Sequence, residues 1–336
     1  MEIRMNAMVL AEIAPIESSP LRLLEMPVPQ PALGEVRIKV RCCAICRTDL
    51  HVIEGELPTR KLPLVPGHQI VGVVDAMGEG CVRLSVGQRV GIAWLRHTCG
   101  HCRFCLAGRE NLCEGQRFTG YHADGGYAEY AIIDENFAYE IPEGFSDIQA
   151  APLLCSGIVG YRALKRANLP SGGRLAIYGF GSSAHLIAQI AMSRGCEIYV
   201  VTRGQKHQKL AAELGAKWVG QKPADMPVKV DSAIIFAPAG ELVPPALEKL
   251  EKGGTLSLAD IYMTPIPQMD YEKYVFFERN IHSVTANTRQ DGLELLAEAA
   301  RIPLRPRTTS YPLIEANRAL QDLKADRING TGVLIV

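Results

Sequence analysis

Hydrophobic and polar positions follow two different patterns along the chain. Before about residue 150, short stretches such as 36–40 (VRIKV) alternate apolar with polar residues and are separated by prolines and glycines. Further β-rich stretches lie at 70–74, 87–93 and 127–133. Alternation of this kind is typical of strands with one buried face, and proline and glycine mark the turns between them. The pattern predicts a mostly antiparallel, barrel-like β domain.

After residue 150, apolar strands, glycine turns and helix-length segments follow one another in alternation. The strand predicted at 175–178 leads into a glycine turn and a helix over 182–193. Strands that alternate with helices indicate right-handed crossovers and a parallel, doubly wound sheet. The further predicted elements of this half are a strand at 197–201, a helix at 206–214, and core strands at 232–236 and 254–258.

The last segment of the chain holds a predicted amphipathic helix at 292–300 and a closing strand at 332–336. We assign this segment to the first domain. The predicted organisation is an α/β protein, with one domain at 1–150 to which 289–336 return, and a doubly wound domain at 151–288. A chain of 336 residues suits two domains, because single cores rarely grow beyond about 250–300 residues.

Composition and charge narrow the possible classes of function. Apolar residues make up 47% of the chain and charged residues 21%, as in globular proteins, which excludes the disordered class. Lysine plus arginine equals aspartate plus glutamate at 36 each, so no net field attracts nucleic acid or membrane, and a small-molecule partner is expected. The N-terminus lacks the pattern of a secretory signal, and no run approaches the roughly 18 apolar residues of a membrane span. With ten cysteines and no such signal, the sequence predicts reduced thiols and a cytoplasmic location.

Four cysteines fall within fifteen residues of one another. Cys99, Cys102, Cys105 and Cys113 have the spacing C-x2-C-x2-C-x7-C, in which short gaps let the sulfurs converge on one ion. Four thiolates fill the tetrahedral shell of zinc and leave no position for substrate, so the loop is expected to be structural. Disulfides conflict with a reducing compartment, and an iron–sulfur cluster is the main alternative.

A second candidate metal site combines Cys46, His68 and Cys155. Two thiolates and one imidazole would leave zinc one open coordination position, as a Lewis acid that binds an alcohol oxygen requires. On spacing alone the set is no more favoured than two buried core thiols and a loop histidine.

A glycine turn follows the strand predicted at 175–178. In the segment 179–184 (GFGSSA), Gly179 suits a tight turn, Gly181 permits close approach of a pyrophosphate, and Ala184 lets the helix pack closely. The segment resembles a dinucleotide-binding fingerprint, with a plain strand–helix turn as the alternative.

The end of the second strand of this domain bears on the choice of cofactor. An acidic residue there would bind the ribose 2′-hydroxyl of NAD, but the chain has Thr202 and Arg203. Arg203, with Lys206 or His207 nearby, would pair with a 2′-phosphate. The sequence therefore predicts a preference for NADP(H), with NAD(H) as the alternative and a solvated Arg203 as the simpler interpretation.

Several motifs together resemble a known family. The segments 46–51 (CRTDLH), 67–68, 125–130 (GGYAEY), the four-cysteine loop and the glycine turn occur in the order and at separations similar to those of zinc-dependent alcohol dehydrogenases of the medium-chain dehydrogenase/reductase superfamily. The likeness covers essentially the whole chain and is greatest to the microbial, yeast-like branch that keeps the structural-zinc loop. It implies a GroES-like catalytic domain, a Rossmann domain, and reversible hydride transfer between alcohols and aldehydes or ketones.

The resemblance also implies a ligand set. Cys46, His68 and Cys155 would hold a catalytic zinc ion, and Asp49 would orient His68. With the four-cysteine loop, this makes two zinc ions per chain. The family commonly has glutamate at Gln69 and threonine at Val159, and we expect these departures to affect the rate without abolishing activity.

Further roles follow from the same resemblance. Thr48 would take the proton of the alcohol and pass it, through the cofactor ribose, to His51. Arg47 would contact the cofactor pyrophosphate. Trp94, in a segment similar to the pocket of the yeast-type enzymes, would narrow the substrate pocket.

Two other functions remain open at this stage. One is an NADPH-dependent aldehyde reductase or polyol dehydrogenase of the same superfamily. The other is a non-catalytic zinc-ribbon module that binds nucleic acid, which the balanced charge argues against. A homodimer or homotetramer is expected.

Overall fold

The computed structural model describes residues 3–336, which divide into two compact units. Unit 1 contains the residues up to Cys155 together with Thr288–Ala300 and Pro306–Val336. Unit 2 contains Ser156–Asn287 and Arg301–Arg305. The catalytic role of the first unit and the nucleotide-binding role of the second are predictions at this point.

The secondary structure changes in character between the two units. The strands, numbered along the chain, are β1 (Arg4–Leu10), β2 (Leu21–Pro27), β3 (Glu35–Ala44), β4 (Gln69–Met77), β5 (Arg89–Ile92), β6 (Leu95–His97), β7 (Arg117–Phe118), β8 (Tyr130–Asp134), β9 (Ala138–Glu140), β10 (Arg174–Tyr178), β11 (Glu197–Val201), β12 (Trp218–Gly220), β13 (Val230–Ile235), β14 (Leu250–Leu258), β15 (Asn280–Ser283), β16 (Thr308–Pro312) and β17 (Thr331–Ile335). The α-helices are α1 (Arg47–Ile53), α2 (Arg103–Leu106), α3 (Asp147–Ala150), α4 (Ser156–Arg166), α5 (Ser182–Ser193), α6 (Gln205–Glu213), α7 (Val243–Glu248), α8 (Tyr271–Tyr274), α9 (Arg289–Ala299) and α10 (Ala316–Lys324). Within residues 3–336, none of the helices has the length and apolar character needed to cross a membrane.

The main sheet of unit 1 is built around β3. The strand order is β16-β17-β3-β4-β5-β9, and β8 also pairs with β3. All of these pairs are antiparallel except β16 with β17. Val36, Ile38 and Val40 are buried in the core, as the alternation of the sequence predicts for one face of a strand. The prediction of a mostly antiparallel β domain is confirmed.

Unit 2 contains a six-stranded parallel sheet in the order β12-β11-β10-β13-β14-β15. The direction of winding reverses between β10 and β13, so the sheet is doubly wound, as predicted. In such sheets a crevice opens at the carboxyl ends of the strands where the order reverses, and cofactors bind there. Helix α5 has the predicted bounds and begins directly after the glycine turn that follows β10.

Candidate functional site

Asp49 connects two parts of the candidate catalytic metal site. Strand β3 ends just before Cys46, which is the N-cap residue of α1. The Cys46 backbone N–H donates to Asp49 Oδ2 at 2.8 Å, in a capping box that fixes the start of the helix. His68 Nδ1 donates to Asp49 Oδ1 at 3.0 Å, and both side chains are buried. This bond leaves Nε2 of His68 facing Cys46 Sγ at 3.4 Å.

Cys155 completes the set of donor atoms. Cys155 follows directly on a 3-10 turn over Ala151–Leu154. The donor atoms of Cys46, His68 and Cys155 all lie within 4.8 Å of one another. The structure therefore brings together the three ligands that the sequence predicted. The spacing and the soft donor set suit tetrahedral zinc with one position left open.

The electrostatics of the same cluster favour a cation. The hydrogen bond to Cys155, followed by burial, raises the pKa of Cys46 well above its usual value. Burial acts to lower the pKa of His68, but Cys46 and Asp49 outweigh burial and raise that pKa to about 10. Negative charge is thus costly at the sulfurs unless a positive charge lies among them. A divalent cation would supply that charge and hold both sulfurs as thiolates.

The four-cysteine loop forms a second cluster of sulfurs. Cys99, Cys102, Cys105 and Cys113 are free thiols, and their Sγ atoms lie within 4.8 Å of one another. Backbone N–H groups of His101 and Cys102 lower the pKa of Cys99 to about 6, with Cys102 N donating to Cys99 Sγ at 3.3 Å. Backbone donors that favour the thiolate suit a four-thiolate zinc site with no open position.

Trp94 lies against His68 of the candidate metal site. Its ring meets His68 edge-on, with 4.8 Å between ring centroids. It stacks on Phe118 at 4.7 Å and on Tyr121 at 5.8 Å. Trp94, Phe118 and Tyr121 are called the aromatic shelf below. The sequence pointed to Trp94 but missed the other two rings.

The predicted proton-relay residues share helix α1. Thr48 and His51 are half-buried and one turn apart, whereas Asp49 between them is buried. The imidazole of His51 forms an ion pair with Glu56, which the sequence reasoning missed. Arg47, the first residue of the helix, is exposed.

The glycine turn of unit 2 lies beside the predicted cofactor-selecting residues. Gly179 adopts a positive φ of +84°, and its N–H donates to Val201 O, at the end of β11, at 2.8 Å. Gly181 is the N-cap residue of α5, and a Cβ there would meet no atom within 4 Å, which leaves room for a pyrophosphate. The same edge carries Thr202, which is buried, and Arg203, which is exposed. Ala184 is fully buried in α5.

The chain is similar over its length to several proteins of one family. Residues 32–143 match the family model described as the alcohol dehydrogenase GroES-like domain. The chain is 48% identical to a protein named probable alcohol dehydrogenase AdhA from Mycobacterium tuberculosis, over 99% of this chain and 97% of that one. The chain belongs to the alcohol dehydrogenase family. A second relative, an alcohol dehydrogenase from Geobacillus stearothermophilus, is 34% identical over 94% of this chain and 96% of its own length.

Membership of the alcohol dehydrogenase family makes this protein an oxidoreductase that acts on small molecules. The fold agrees with that of a thermostable alcohol dehydrogenase from Pyrobaculum aerophilum, whose structure holds cobalt and zinc, with a TM-score of 0.89 and 25% identity over 99% of this chain and 100% of that one. The resemblance to medium-chain dehydrogenases is confirmed, and so is the fold class of a GroES-like β domain with a Rossmann sheet.

In this member of the alcohol dehydrogenase family, the motif at 125–130 surrounds the segment that carries His68. Gly67 has a φ of +92°, and a Cβ there would lie 2.3 Å from Cδ1 of Tyr127. The backbone N–H of Tyr127 donates to Pro66 O at 3.0 Å, and that of Gly126 donates to Gly67 O at 2.9 Å. The sequence alone suggested no role for this motif. Its glycines could have shown that two backbone segments approach closely here.

The two departures from the family pattern lie in different environments. Gln69 is fully buried at the start of β4, and its side-chain amide finds no hydrogen-bond partner among residues 3–336. Val159 is half-buried in α4. Gln69 follows His68 directly in the chain, and an amide there carries no negative charge, whereas a carboxylate would.

Proposed function

We propose that this protein is a zinc-dependent alcohol dehydrogenase that interconverts primary or simple secondary alcohols with aldehydes or ketones and prefers NADP(H). The observation that carries the proposal is the convergence of Cys46, His68 and Cys155, with donor atoms within 4.8 Å of one another. A set of two sulfurs and one imidazole suits a zinc site with an open position, whereas a structural site would be closed.

The candidate metal site combines three proposed ligands with one carboxylate that orients His68. Cys46, His68 and Cys155 would hold a zinc ion, which supplies Lewis-acid charge stabilisation when bound, as a bound nicotinamide supplies or accepts the hydride. Asp49 accepts a hydrogen bond from the Nδ1–H of His68 and so keeps Nε2 available for ligation.

Helix α1 carries the two residues that we propose transfer the proton, Thr48 and His51. The Thr48 hydroxyl accepts the proton that the alcohol releases on oxidation and gives up its own proton in turn. His51, on the same face of the helix, delivers that proton toward solvent, and Glu56 stabilises the imidazolium that forms. The aromatic shelf excludes water from one side of the reacting carbon and contacts the apolar part of the substrate.

The cofactor preference rests on charge at the carboxyl end of β11. Arg203 is exposed there and no carboxylate follows the strand, so a ribose 2′-phosphate would meet a positive charge. Arg203→Ala is expected to lower kcat/KM for NADP(H) more than for NAD(H). Wild-type efficiency with NAD(H) equal to or above that with NADP(H) would overturn the preference.

The main experiment combines a metal count with activity assays on a panel of alcohols and aldehydes. The wild type is expected to hold two zinc ions per chain. Cys46→Ser is expected to lose one of them together with alcohol oxidation, while its thermal unfolding changes little. Cys196→Ser, which alters a buried cysteine outside both clusters, is the matched control and keeps both ions. Alcohol oxidation retained by Cys46→Ser would refute the assignment.

A further inference from the structure

A buried carboxylate lies inside the four-cysteine loop, close to one of the proposed ligands. Glu110 begins a 3-10 turn over Glu110–Leu112, and its backbone oxygen accepts from Cys113 N at 3.0 Å. Glu110 is 8% exposed and Cys113 is 1% exposed. A charged side chain is seldom buried to this extent without a partner of opposite charge. The partner of Glu110 lies outside the loop.

Arg289, the first residue of α9, is that partner, although it lies 179 positions further along the chain. Its Nη2 donates to Glu110 Oε2 at 2.8 Å, its Nε donates to the same oxygen at 3.0 Å, and its backbone N–H donates to Oε1 at 2.6 Å. The carboxylate therefore occupies the N-terminus of a helix, where backbone N–H groups lack acceptors within the helix and negative charge is favourable. Charge-assisted hydrogen bonds of this kind are among the stronger ones in proteins.

Phe137 connects the same arginine to the other end of the loop. The guanidinium of Arg289 lies over the Phe137 ring, 4.6 Å from its centroid. The Phe137 ring also stacks with that of His97, with 6.4 Å between the centroids. His97 ends β6 just before the loop, whereas Glu110 lies near the end of the loop. Arg289 thus contacts one end of the loop directly and the other end through one aromatic ring.

Helix α9 also packs on parts of unit 1 outside the loop. A capping box at its first turn starts the helix. Gly292 packs on Tyr139 of β9, since a Cβ at this glycine would lie 2.4 Å from Cε1 of the ring. The helix lies next to the 3-10 turn over Ala151–Leu154, which leads into Cys155. Helix α9 therefore joins the four-cysteine loop to the segment that carries a proposed ligand of the other metal.

The loop has little apolar material of its own to hold it together. Cys99, Cys102 and Cys105 are half-buried, helix α2 is four residues long, and Leu106 is 77% exposed. A segment that buries so few apolar groups depends on a metal for order, because metal binding and folding are coupled in such sites. Without the metal, Glu110 would not be held in the position at which it meets Arg289.

We propose that Arg289 is a positioning residue for the metal of the four-cysteine loop, and that this metal in turn holds the first turn of α9 in place through Glu110. The coupling is reciprocal, because an arginine that stabilises the metal-binding form of the loop must itself be held in place by the metal. The inference rests on the proposed zinc ion in the loop and is independent of the proposed substrate and cofactor. It concerns metal affinity and local order, and it leaves the turnover of the fully loaded enzyme unchanged.

The first test measures zinc affinity at the loop alone. In a Cys46→Ser background, which is expected to lose the ion of the other site, competition with a chelator reports on the loop ion. Arg289→Met is expected to lower that affinity by about 10–100-fold, as for other groups that orient metal ligands. Arg289→Lys is expected to keep part of it, since an ammonium group can meet one carboxylate oxygen. Arg318→Met, which removes an exposed arginine of α10 that is paired with Glu315, is the control and leaves the affinity unchanged.

A double-mutant cycle assigns the loss of affinity to the pair. Glu110→Gln keeps the shape of the side chain, removes its charge, and is expected to lower the zinc affinity of the loop. The double variant Glu110→Gln/Arg289→Met is expected to bind zinc no more weakly than the weaker single variant, because both replacements remove the same contact. Losses that multiply in the double variant would show that the two residues act separately and would overturn the coupling. Glu110→Gln also carries the test if Arg289→Met does not fold.

The second test asks whether the loop metal orders α9. Hydrogen exchange of the backbone amides at 289–293 is expected to be about 10-fold faster in Cys102→Ser than in the wild type, since a hydrogen bond to a charged group contributes about that factor. The amides of α10 are the internal reference and are expected to exchange at the same rate in both proteins. In Arg289→Met, exchange at 289–293 is expected to be fast with or without the Cys102 replacement.

The outcomes separate this inference from the proposed zinc ion. A wild type without metal in the loop would overturn both. A bound loop ion whose affinity stays within about two-fold in Arg289→Met would overturn the inference alone. An exchange rate at 289–293 that does not depend on Cys102 would do the same, while the proposed zinc ion stands.

Discussion

The replacement Asp49→Asn tests how strongly one buried carboxylate organises the candidate metal site. The two oxygens of Asp49 accept from Cys46 N at 2.8 Å and from His68 Nδ1 at 3.0 Å, and the residue is 2% exposed. An asparagine has the same shape but only one acceptor oxygen, so one of the two donors would face an N–H group. The loss of one charge-assisted hydrogen bond and the burial of one unmatched donor together cost about 2–4 kcal/mol.

That cost divides between the stability of the fold and the affinity for metal. We expect zinc affinity to fall by about 10–100-fold, as for other groups that orient metal ligands. Competition with a chelator measures the zinc affinity. Urea unfolding of the metal-free protein measures the loss of fold stability. The control is Asp75→Asn, which removes a carboxylate paired with Arg37 at 2.9 Å elsewhere in unit 1 and is expected to leave zinc affinity unchanged. Zinc affinity within two-fold of the wild type in Asp49→Asn would refute the argument.

Three further predictions concern other parts of the chain. Cys102→Ser is expected to lose the second zinc ion and to lower the thermal unfolding temperature, while kcat per folded molecule is unchanged; a slower hydride transfer in a fully stable variant would show that the two metal sites were misassigned. Tyr178→Phe is expected to leave stability unchanged or raise it by about 1 kcal/mol in urea unfolding, because the buried hydroxyl has no partner within the described residues; a loss of more than that amount would reveal one. Burial acts to raise the pKa of Glu135, but N–H groups of Val82, Arg83 and Leu84 outweigh it and hold that pKa below its usual 4.5. This carboxylate therefore stabilises the fold above about pH 4.5, and its contribution is lost as the pH falls through the lowered pKa. Glu135→Gln is expected to be less stable than the wild type at pH 7, and the difference in unfolding free energy is expected to shrink as the pH falls below 4.5; a difference that does not change with pH would contradict the assignment.

Local patterns made much of the fold predictable. Helix α5 spans Ser182–Ser193, as the sequence indicates, because a strand, a glycine turn and a helix follow one another without interruption. Four cysteines within fifteen residues gather for the same reason: little chain has to be ordered to bring them together. Local sequence was sufficient at both places.

Long-range contacts limited what the sequence could predict about the candidate site. Cys46 and Cys155 are far apart in sequence, so their spacing could not predict that the two thiols lie at one metal site. Only the family resemblance predicted that they do. The roles of Phe118 and Tyr121 depend on the pairing of β6 with β7, which no local pattern specifies. Cofactor preference, domain roles, a homodimer or homotetramer, and a cytoplasmic location stay predictions.

The four-cysteine loop has a consequence for how this enzyme would diversify. The loop lies between β6 and β7, and the residues of the aromatic shelf, Trp94, Phe118 and Tyr121, lie in or next to these two strands. Anchoring 98–116 to a metal would hold the two short strands in register from their open end. Residues 94–122 would then form one continuous segment that affects both thermal stability and substrate specificity. Exchange of this segment between relatives would transfer the shape of the aromatic shelf, while the proposed ligands Cys46, His68 and Cys155 stay untouched.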